Sequence, residues 1–219
     1  MAPCSQLYGK TFIGDRSRTR ELALTFDDGP NDPCTLRLLD VLAKHSVAAT
    51  FFMIGRYVDQ RPKVARAVAD AGHAIGNHTY THPNLIFQSD WQVRDEISRC
   101  ERALSDAVGD RHTNLFRPPF GGRRPGTLGI VRSMGKVPVM WNVTGWDWST
   151  NSAEIVAGKV FGQVRGGDVV LLHDGGHLQF GADRSRTIDA VQNIVERYTH
   201  EGFRFVTIPE MMAGAARKF

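Results

Sequence analysis

The stretch LALTFDDGPNDPCTLRLLDVL, residues 22–42, contains the unit from which the fold is predicted. Leu22 to Phe26 is a short apolar run that ends in two acidic residues, as expected of a buried strand that leads into a polar turn. Asp32 and Pro33 are typical of a helix start, and apolar residues then recur at helical spacing from Leu36 to Leu42. The stretch therefore predicts a strand, a polar turn and an amphipathic helix.

The same alternation of strand and helix continues along the chain, without a long linker, repeat or low-complexity segment. Further strands are predicted at Val47–Ile54, Ala74–Asn77, Leu115–Arg117, Val137–Asn142, Asp168–His173 and Phe203–Ile208. This alternation requires parallel strands with helical crossovers, and about seven strands suit a single α/β barrel of the TIM-barrel type, closed or nearly closed. A doubly wound open sheet is the alternative, but no G-x-G-x-x-G sequence follows the first strand.

Composition narrows the class of protein. A chain of 219 residues is long enough for one sizeable domain with its own core. The net charge of +4 comes from scattered Lys and Arg residues, which indicates a solvated surface and no nucleic-acid partner. No run of about 18 apolar residues occurs, so no membrane span is expected. Nothing in the sequence indicates an obligate protein partner.

Cysteine usage and the N-terminus say little about the cellular compartment. The three cysteines are an odd number without C-x-x-C spacing, which disfavours a disulfide framework or a cysteine-built zinc site: Cys4, Cys34 and Cys100. The N-terminus lacks the apolar run of a signal peptide. The location is therefore unknown: extracytoplasmic if a leader was removed, and cytoplasmic otherwise.

Unusual polar residues fall where the predicted strands end. They are Asp27, Asp28, His78, Arg117, Asp147, His173 and Asp174. Because the carboxyl ends of parallel strands converge on one face of a barrel, where such barrels place active sites, these side chains are expected to meet in one site.

The segment HTYTHP indicates a metal site. His78 and His82 lie four residues apart, and two neutral imidazoles with one carboxylate form a three-ligand site that leaves a position open for water or substrate. A divalent transition metal is expected, Zn²⁺ first, with Co²⁺, Ni²⁺ and Mn²⁺ also compatible with these ligands. Asp27 and Asp28 supply adjacent carboxylates, of which one can bind metal while the other acts as a base. Spacing alone does not say which is which.

The motifs TFDDGP, HTYTHP, RPPFG, the DW of GWDWS, and LLHD follow one another in this order. In residues and order they resemble the polysaccharide deacetylase (NodB-homology) family, carbohydrate esterase family 4, and the match extends from about Leu22 to Ile208. The resemblance implies a distorted (β/α) barrel. We therefore expect residues 1–20 to be an N-terminal extension and residues 21–219 to be the polysaccharide deacetylase catalytic domain.

The resemblance also divides the roles between the two carboxylates. It implies Asp27 as the general base and Asp28, His78 and His82 as the metal ligands. Arg117 would hold the base carboxylate in its charged form by pairing with it.

The other half of the implied site protonates the leaving group and receives the acetyl group. The backbone N–H of Phe120 would donate to the oxyanion, and His173 would be the general acid, tuned by Asp147. Leu171 and Trp148 would line a pocket for the acetyl methyl.

Two departures from the family pattern bear on these roles. Asn142 stands where many relatives have Asp, so only Asp147 and Trp148 are carried over from that motif. Phe120 stands where Tyr is common, which should matter little for a role of the backbone N–H. Trp146 is a further candidate for stacking on a sugar ring.

The leading hypothesis is metal-dependent removal of acetyl groups from a glycan that contains N-acetylglucosamine, such as chitin oligomers or peptidoglycan. Acetylated xylan is chemically close, because the same oxyanion machinery serves an ester. The alternatives are a cyclic amide or imide hydrolase built on the same barrel, and a carbohydrate-binding protein without catalysis. The complete set of base, acid and metal ligands argues against the last of these.

Overall fold

The computed structural model describes residues 5–150 and 152–215, and one parallel sheet forms its centre. The strands are β1 (Glu21–Gly29), β2 (Thr50–Met53), β3 (Ala74–Asn77), β4 (Leu115–Phe116), β5 (Val137–Pro138), β6 (Val143–Thr144), β7 (Asp168–His173) and β8 (Arg204–Phe205). Their order in the sheet is β5-β4-β3-β2-β1-β7-β6, and β8 pairs with the start of β1.

Helices follow most strands and surround the sheet. They are α1 (Cys34–Lys44), α2 (Gly55–Gln60), α3 (Pro62–Asp70), α4 (Asp90–Val108), α5 (Thr127–Ser133), α6 (Ala153–Gln163), α7 (Ser185–His200) and α8 (Ile208–Ala215). The strands curl into a half-barrel, which confirms the predicted distorted (β/α) barrel. No described helix is long and apolar enough to cross a membrane.

Alternation along β1 separates the two sides of the sheet. Leu22, Leu24 and Phe26 pack into the large apolar cluster between the sheet and its helices. Ala23 packs into a second cluster on the opposite side. Asp27 continues the sequence of odd-numbered positions, so the strand period of two directs its side chain away from the helices and into the barrel.

The segment between β5 and β6 differs from the expected strand Val137–Asn142. The N-terminal segment takes over the pairing there, because Phe12 N–H donates to Pro138 O at 2.9 Å and Met140 N–H donates to Phe12 O at 2.7 Å. Farther along, Gly14 pairs with Asp168 across a backbone bridge. Residues 12–14 therefore lie across the interval between β5 and β7. The expected strand is shortened to Val137–Pro138, and β6 begins only after its expected end, at Val143.

Gly14 has a packing reason to be glycine. Its φ is +127°, and a Cβ atom at this position would lie 2.3 Å from the carbonyl oxygen of Gly167.

Residues 1–4 of the expected N-terminal extension, Cys4 among them, lie outside the described residues. Cys34 and Cys100 are buried free thiols.

Candidate active site

A β-bulge at the end of β1 brings both acidic side chains to the same opening. Asp27 pairs with Phe52 of β2, but the next paired residue of β1 is Gly29, so Asp28 is the extra residue. Its φ is +73°, a left-handed conformation that is strained for a non-glycine residue. In a regular strand Asp28 would face away from Asp27, whereas the bulge turns both carboxylates toward His78.

His78 and His82 approach Asp28 from the end of β3. The Nε2 atom of His78 lies 3.6 Å from Asp28 Oδ1, and that of His82 lies 3.1 Å from the same oxygen. One ligand atom from each of these three buried residues lies within 4.8 Å of the other two. His82 also has a left-handed backbone, with φ +64°, so the loop after β3 is bent to hold the ring in place.

The donor set fits a divalent transition metal. Asp28 Oδ1 is buried and has no hydrogen-bond partner among the described residues, which is costly unless a cation satisfies it. The Nδ1 atom of His78 lies 2.8 Å from Arg117 O, so Nδ1–H can donate to this carbonyl and leave the Nε2 lone pair free for a metal. Burial lowers the pKa of His78 to about 4 despite the nearby carboxylates, which keeps the ring neutral at pH 7, as a ligand must be.

Asp28 is held in its charged form. Burial alone would raise the pKa of this carboxyl group, but the close approach of the His177 and His82 imidazoles outweighs it and keeps the pKa well below its usual range. A charged carboxylate beside two imidazoles is the donor set expected of a Zn²⁺ site with an open position.

Arg117 pairs with Asp27 inside the barrel. Its Nη1 atom donates to Asp27 Oδ1 at 2.7 Å and to Thr25 Oγ1 at 2.8 Å, and the guanidinium carbon lies 4.1 Å from the ring centre of Phe52. The side chain of Arg117 is fully buried. These contacts leave Asp27 Oδ2, which lies 3.6 Å from His78 Nε2, on the side of the metal ligands.

His173 forms a second buried acid–base pair with Asp147. His173 Nδ1 lies 2.9 Å from Asp147 Oδ1, and Asp147 Oδ2 accepts hydrogen bonds from His173 N–H and from Thr187 Oγ1. Burial opposes protonation of the ring, but the charge and hydrogen bond of Asp147 outweigh it and raise the pKa of His173 to about 9. His173 is therefore charged near neutral pH and can act as an acid.

A pocket of about 290 Å³ joins the two pairs. Most of the residues expected in the site line it: Asp27, Asp28, His78, His82, Phe120, Trp148, Leu171 and His173. Arg117 and Asp147 lie behind this lining, where each pairs with a lining residue. Trp146 does not line the pocket but stands beside Trp148, with ring centroids 5.4 Å apart.

Phe120, like Asp28 and His82, has a left-handed backbone. Its φ of +57° interrupts the short helix Pro119–Gly121, and its side chain is 56% exposed. The ring meets that of His82 edge-on at 4.6 Å.

Four residues that the sequence did not single out also belong to this site. Trp141, His177 and Arg184 line the pocket, and Thr187 fixes Asp147 from α7. Arg184 Nε donates to Gly175 O at 2.6 Å. For His177 and Arg184 the available signal was the loop Gly175–Arg186, which follows the last strand of the predicted site and therefore lies at the same face of the barrel.

Comparisons with known proteins agree with this geometry. The family model described as polysaccharide deacetylase matches residues 14–139. A peptidoglycan-N-acetylglucosamine deacetylase from Bacillus cereus is 36% identical over 206 residues, which cover 93% of this chain and 72% of that protein. A chitooligosaccharide deacetylase from Bradyrhizobium sp. is also 36% identical, over 90% of this chain and 93% of its own.

A solved structure shares the fold. It is a peptidoglycan N-acetylglucosamine deacetylase in complex with 4-naphthalen-1-yl-N-oxidanyl-benzamide, and it superposes with a TM-score of 0.83 at 36% identity. The match covers 92% of this chain and 91% of that one.

Proposed function

This chain belongs to the polysaccharide deacetylase family, and from that premise we propose that it hydrolyses the acetamide groups of a glycan containing N-acetylglucosamine, with a divalent metal as cofactor. Deacetylation of a carbohydrate follows from the family. The substrate, the metal and the roles of individual residues are the proposal.

The arrangement of Asp27, Asp28, His78 and His82 is the main support for the proposal. The unpartnered Asp28 Oδ1 faces His78 Nε2 and His82 Nε2, while the carboxylate of Asp27 stays outside this set of ligands and next to it. A divalent ion held by Asp28, His78 and His82 would supply Lewis-acid polarisation of the acetyl carbonyl and a more acidic water. Zn²⁺ suits these ligands best, and Co²⁺, Ni²⁺ and Mn²⁺ are compatible with them.

Asp27 is the base of the proposed reaction. Its carboxylate takes a proton from the attacking water as the water oxygen bonds to the acetyl carbon. The fully buried Arg117 holds this carboxylate in place by a hydrogen bond. The backbone N–H of Phe120, on the pocket wall, would donate to the oxyanion that develops at the carbonyl oxygen.

His173 is the acid. It occupies the position on β7 that pairs with Asp27 on β1, so base and acid reach the pocket from neighbouring strands. As the carbon–nitrogen bond breaks, His173 gives its proton to the amine nitrogen, since an amine is too poor a leaving group to depart as an anion. Acetate and the free amino sugar are the products.

The names of the relatives and the wall of the pocket support this substrate class. Relatives that are 36% identical carry the names of deacetylases of peptidoglycan N-acetylglucosamine and of chitooligosaccharides. Leu171 and Trp148 offer an apolar wall next to His173, where an acetyl methyl would fit. Trp146, 47% exposed, would extend this wall toward a neighbouring sugar ring.

Acetate release tests the proposal. The metal-loaded protein is incubated with N-acetylglucosamine oligomers, peptidoglycan and acetylated xylan, with and without a chelator. We expect release from the N-acetylated glycans, loss of release with chelator, and loss in Asp27→Asn under conditions in which this variant still binds metal.

Other outcomes would favour other functions. No acetate from any acetylated substrate would contradict deacetylation, and ring opening of a cyclic amide or imide would then identify the alternative hydrolase. Release of acetate from acetylated xylan alone would show that the bond hydrolysed is an ester and not an amide. Failure of the wild-type protein to bind stoichiometric divalent metal would refute the ligand assignment.

A further inference from the structure

His177 lies directly against two of the three proposed metal ligands. Its Nδ1 atom is 3.7 Å from Asp28 Oδ2, and its ring stacks on that of His82 with centroids 4.7 Å apart and planes inclined by 26°. Phe120 meets the His177 ring edge-on at 5.0 Å. The side chain is about one-third exposed, so it forms part of the pocket wall.

The loop that carries His177 is fastened to the barrel on both sides of this residue. Arg56 Nη2 donates to His177 O at 2.6 Å, and Tyr57 Oη donates to Gly176 O at 3.0 Å. Farther along the loop, Asn31 Nδ2 donates to Ala182 O at 2.8 Å. Three side chains from two separate segments thus fix the backbone, and the imidazole is held over the site by the fold.

The two carboxylate oxygens of Asp28 face different histidines. Oδ1 faces the Nε2 atoms of His78 and His82, and it is the oxygen without a hydrogen-bond partner among the described residues. Oδ2 faces His177 Nδ1. If Oδ1 binds the metal, Oδ2 is free to accept a hydrogen bond that fixes the plane of the carboxylate.

His82 lacks the support that His78 receives. A metal-binding imidazole usually donates its second N–H to a fixed acceptor, as His78 can do to Arg117 O. The Nδ1 atom of His82 is buried and has no such partner in the described part of the chain. The orientation of its ring therefore depends on packing against the rings of His78, Phe120 and His177, of which only that of His177 stacks on it.

We propose that His177 is a positioning residue of the metal site: it directs Nδ1–H toward Asp28 Oδ2, 3.7 Å away, and fixes the ring of His82 by stacking on it. His177 is not a ligand in this proposal, because the cluster of mutually close ligand atoms consists of Asp28, His78 and His82 only. The inference rests on the proposed metal-dependent function and deepens it.

Titration calorimetry with Zn²⁺, supported by the visible spectrum of the Co²⁺ form, tests this role. His177→Ala should weaken Zn²⁺ binding by about 10- to 100-fold, the range typical for outer partners of metal ligands. His177→Asn keeps a donor near the Nδ1 position and His177→Phe keeps a ring for the stack, so each should recover part of the affinity. Leu178→Ala changes a neighbouring side chain that is 86% exposed and should leave the affinity unchanged.

The Co²⁺ spectrum separates positioning from ligation. At saturating Co²⁺, wild type and His177→Ala should show the same band positions and intensities, since the coordinating atoms are the same. Wild-type Zn²⁺ affinity in His177→Ala would overturn the proposal, and so would a changed Co²⁺ spectrum, which would make His177 a ligand. If the wild-type protein binds metal and releases acetate, and His177→Ala binds metal equally well, only this inference is refuted. If the wild-type protein neither binds metal nor releases acetate, the proposed function is refuted.

Discussion

Arg117 and Asp27 form an ion pair in the interior of the barrel, with 2.7 Å between Nη1 and Oδ1 and both side chains almost completely shielded from water. Such a pair acts as a unit, because removal of one partner leaves the other as an uncompensated charge in a medium of low dielectric. The pair therefore links the proposed base to the stability of the whole fold.

The first prediction concerns the stability of this pair. Arg117→Met should lower the free energy of unfolding by about 3–5 kcal/mol, because it leaves the Asp27 carboxylate buried and unpaired. The double variant Asp27→Asn/Arg117→Met should lose less than the sum of the two single variants. Urea unfolding of the four proteins measures this coupling, and additive losses would show that the two residues do not act as a unit.

A second prediction concerns removal of metal. Binding to the folded state alone stabilises a protein by mass action, so free Zn²⁺ at about 100 times its Kd should add about 2.7 kcal/mol and raise the Tm. Chelator should reverse this increase, and Asp28→Ala should abolish it. Asp40→Ala removes an exposed carboxylate of α1 and should leave the increase intact. A wild-type Tm that does not respond to Zn²⁺ would contradict the metal site.

The sequence was sufficient for the order of strands and helices and for the convergence of polar residues, because apolar periodicity and strand ends are local properties. It could not show that Asp28 would face the same opening as Asp27, since this depends on a bulge against β2. It also could not reveal that Phe12 pairs with Val139 and interrupts the expected strand, because this contact joins residues far apart in the chain.

His177 escaped sequence analysis for a related reason. It lies in a loop without periodicity, and its place over Asp28 is set by contacts with Arg56 and Tyr57, more than 100 residues earlier. The family motifs direct attention to His173, which ends a strand, and do not extend to a loop whose conformation is specified by tertiary contacts.

A third prediction concerns the apolar wall of the pocket. The Trp148 ring meets that of His173 edge-on at 5.2 Å. Trp148→Ala should lower kcat/KM for N-acetylglucosamine oligomers by about 10-fold, because roughly 1.5 kcal/mol of apolar contact with the substrate is lost. Trp146→Ala should matter less for the shortest substrates, because Trp146 stands outside the pocket lining. Trp91→Ala, at a site that is 72% exposed on α4, is the matched control. Equal effects of all three substitutions would argue against a specific role of Trp148.

The last prediction concerns the pH dependence of His173. Its pKa of about 9 lies above the ordinary value of 6.5, so its pairing with Asp147 stabilises the folded protein fully below pH 6.5 and loses this effect as the pH rises through 9. Asp147→Asn removes the charge that opposes the effect of burial, so the pKa of His173 should fall below its ordinary value.

Three measurements check this prediction. NMR titration of the metal-free protein should show the change in the pKa of His173 directly, and the alkaline limb of the pH–rate profile should move to lower pH, because the acid must be protonated to act. The difference in unfolding free energy between wild type and variant should be larger at pH 6 than at pH 10. Thr187→Val removes one hydrogen bond to Asp147 but keeps its charge, so its effect on the pKa should be smaller. A His173 that still titrates near pH 9 in Asp147→Asn would mean that another group keeps the acid protonated.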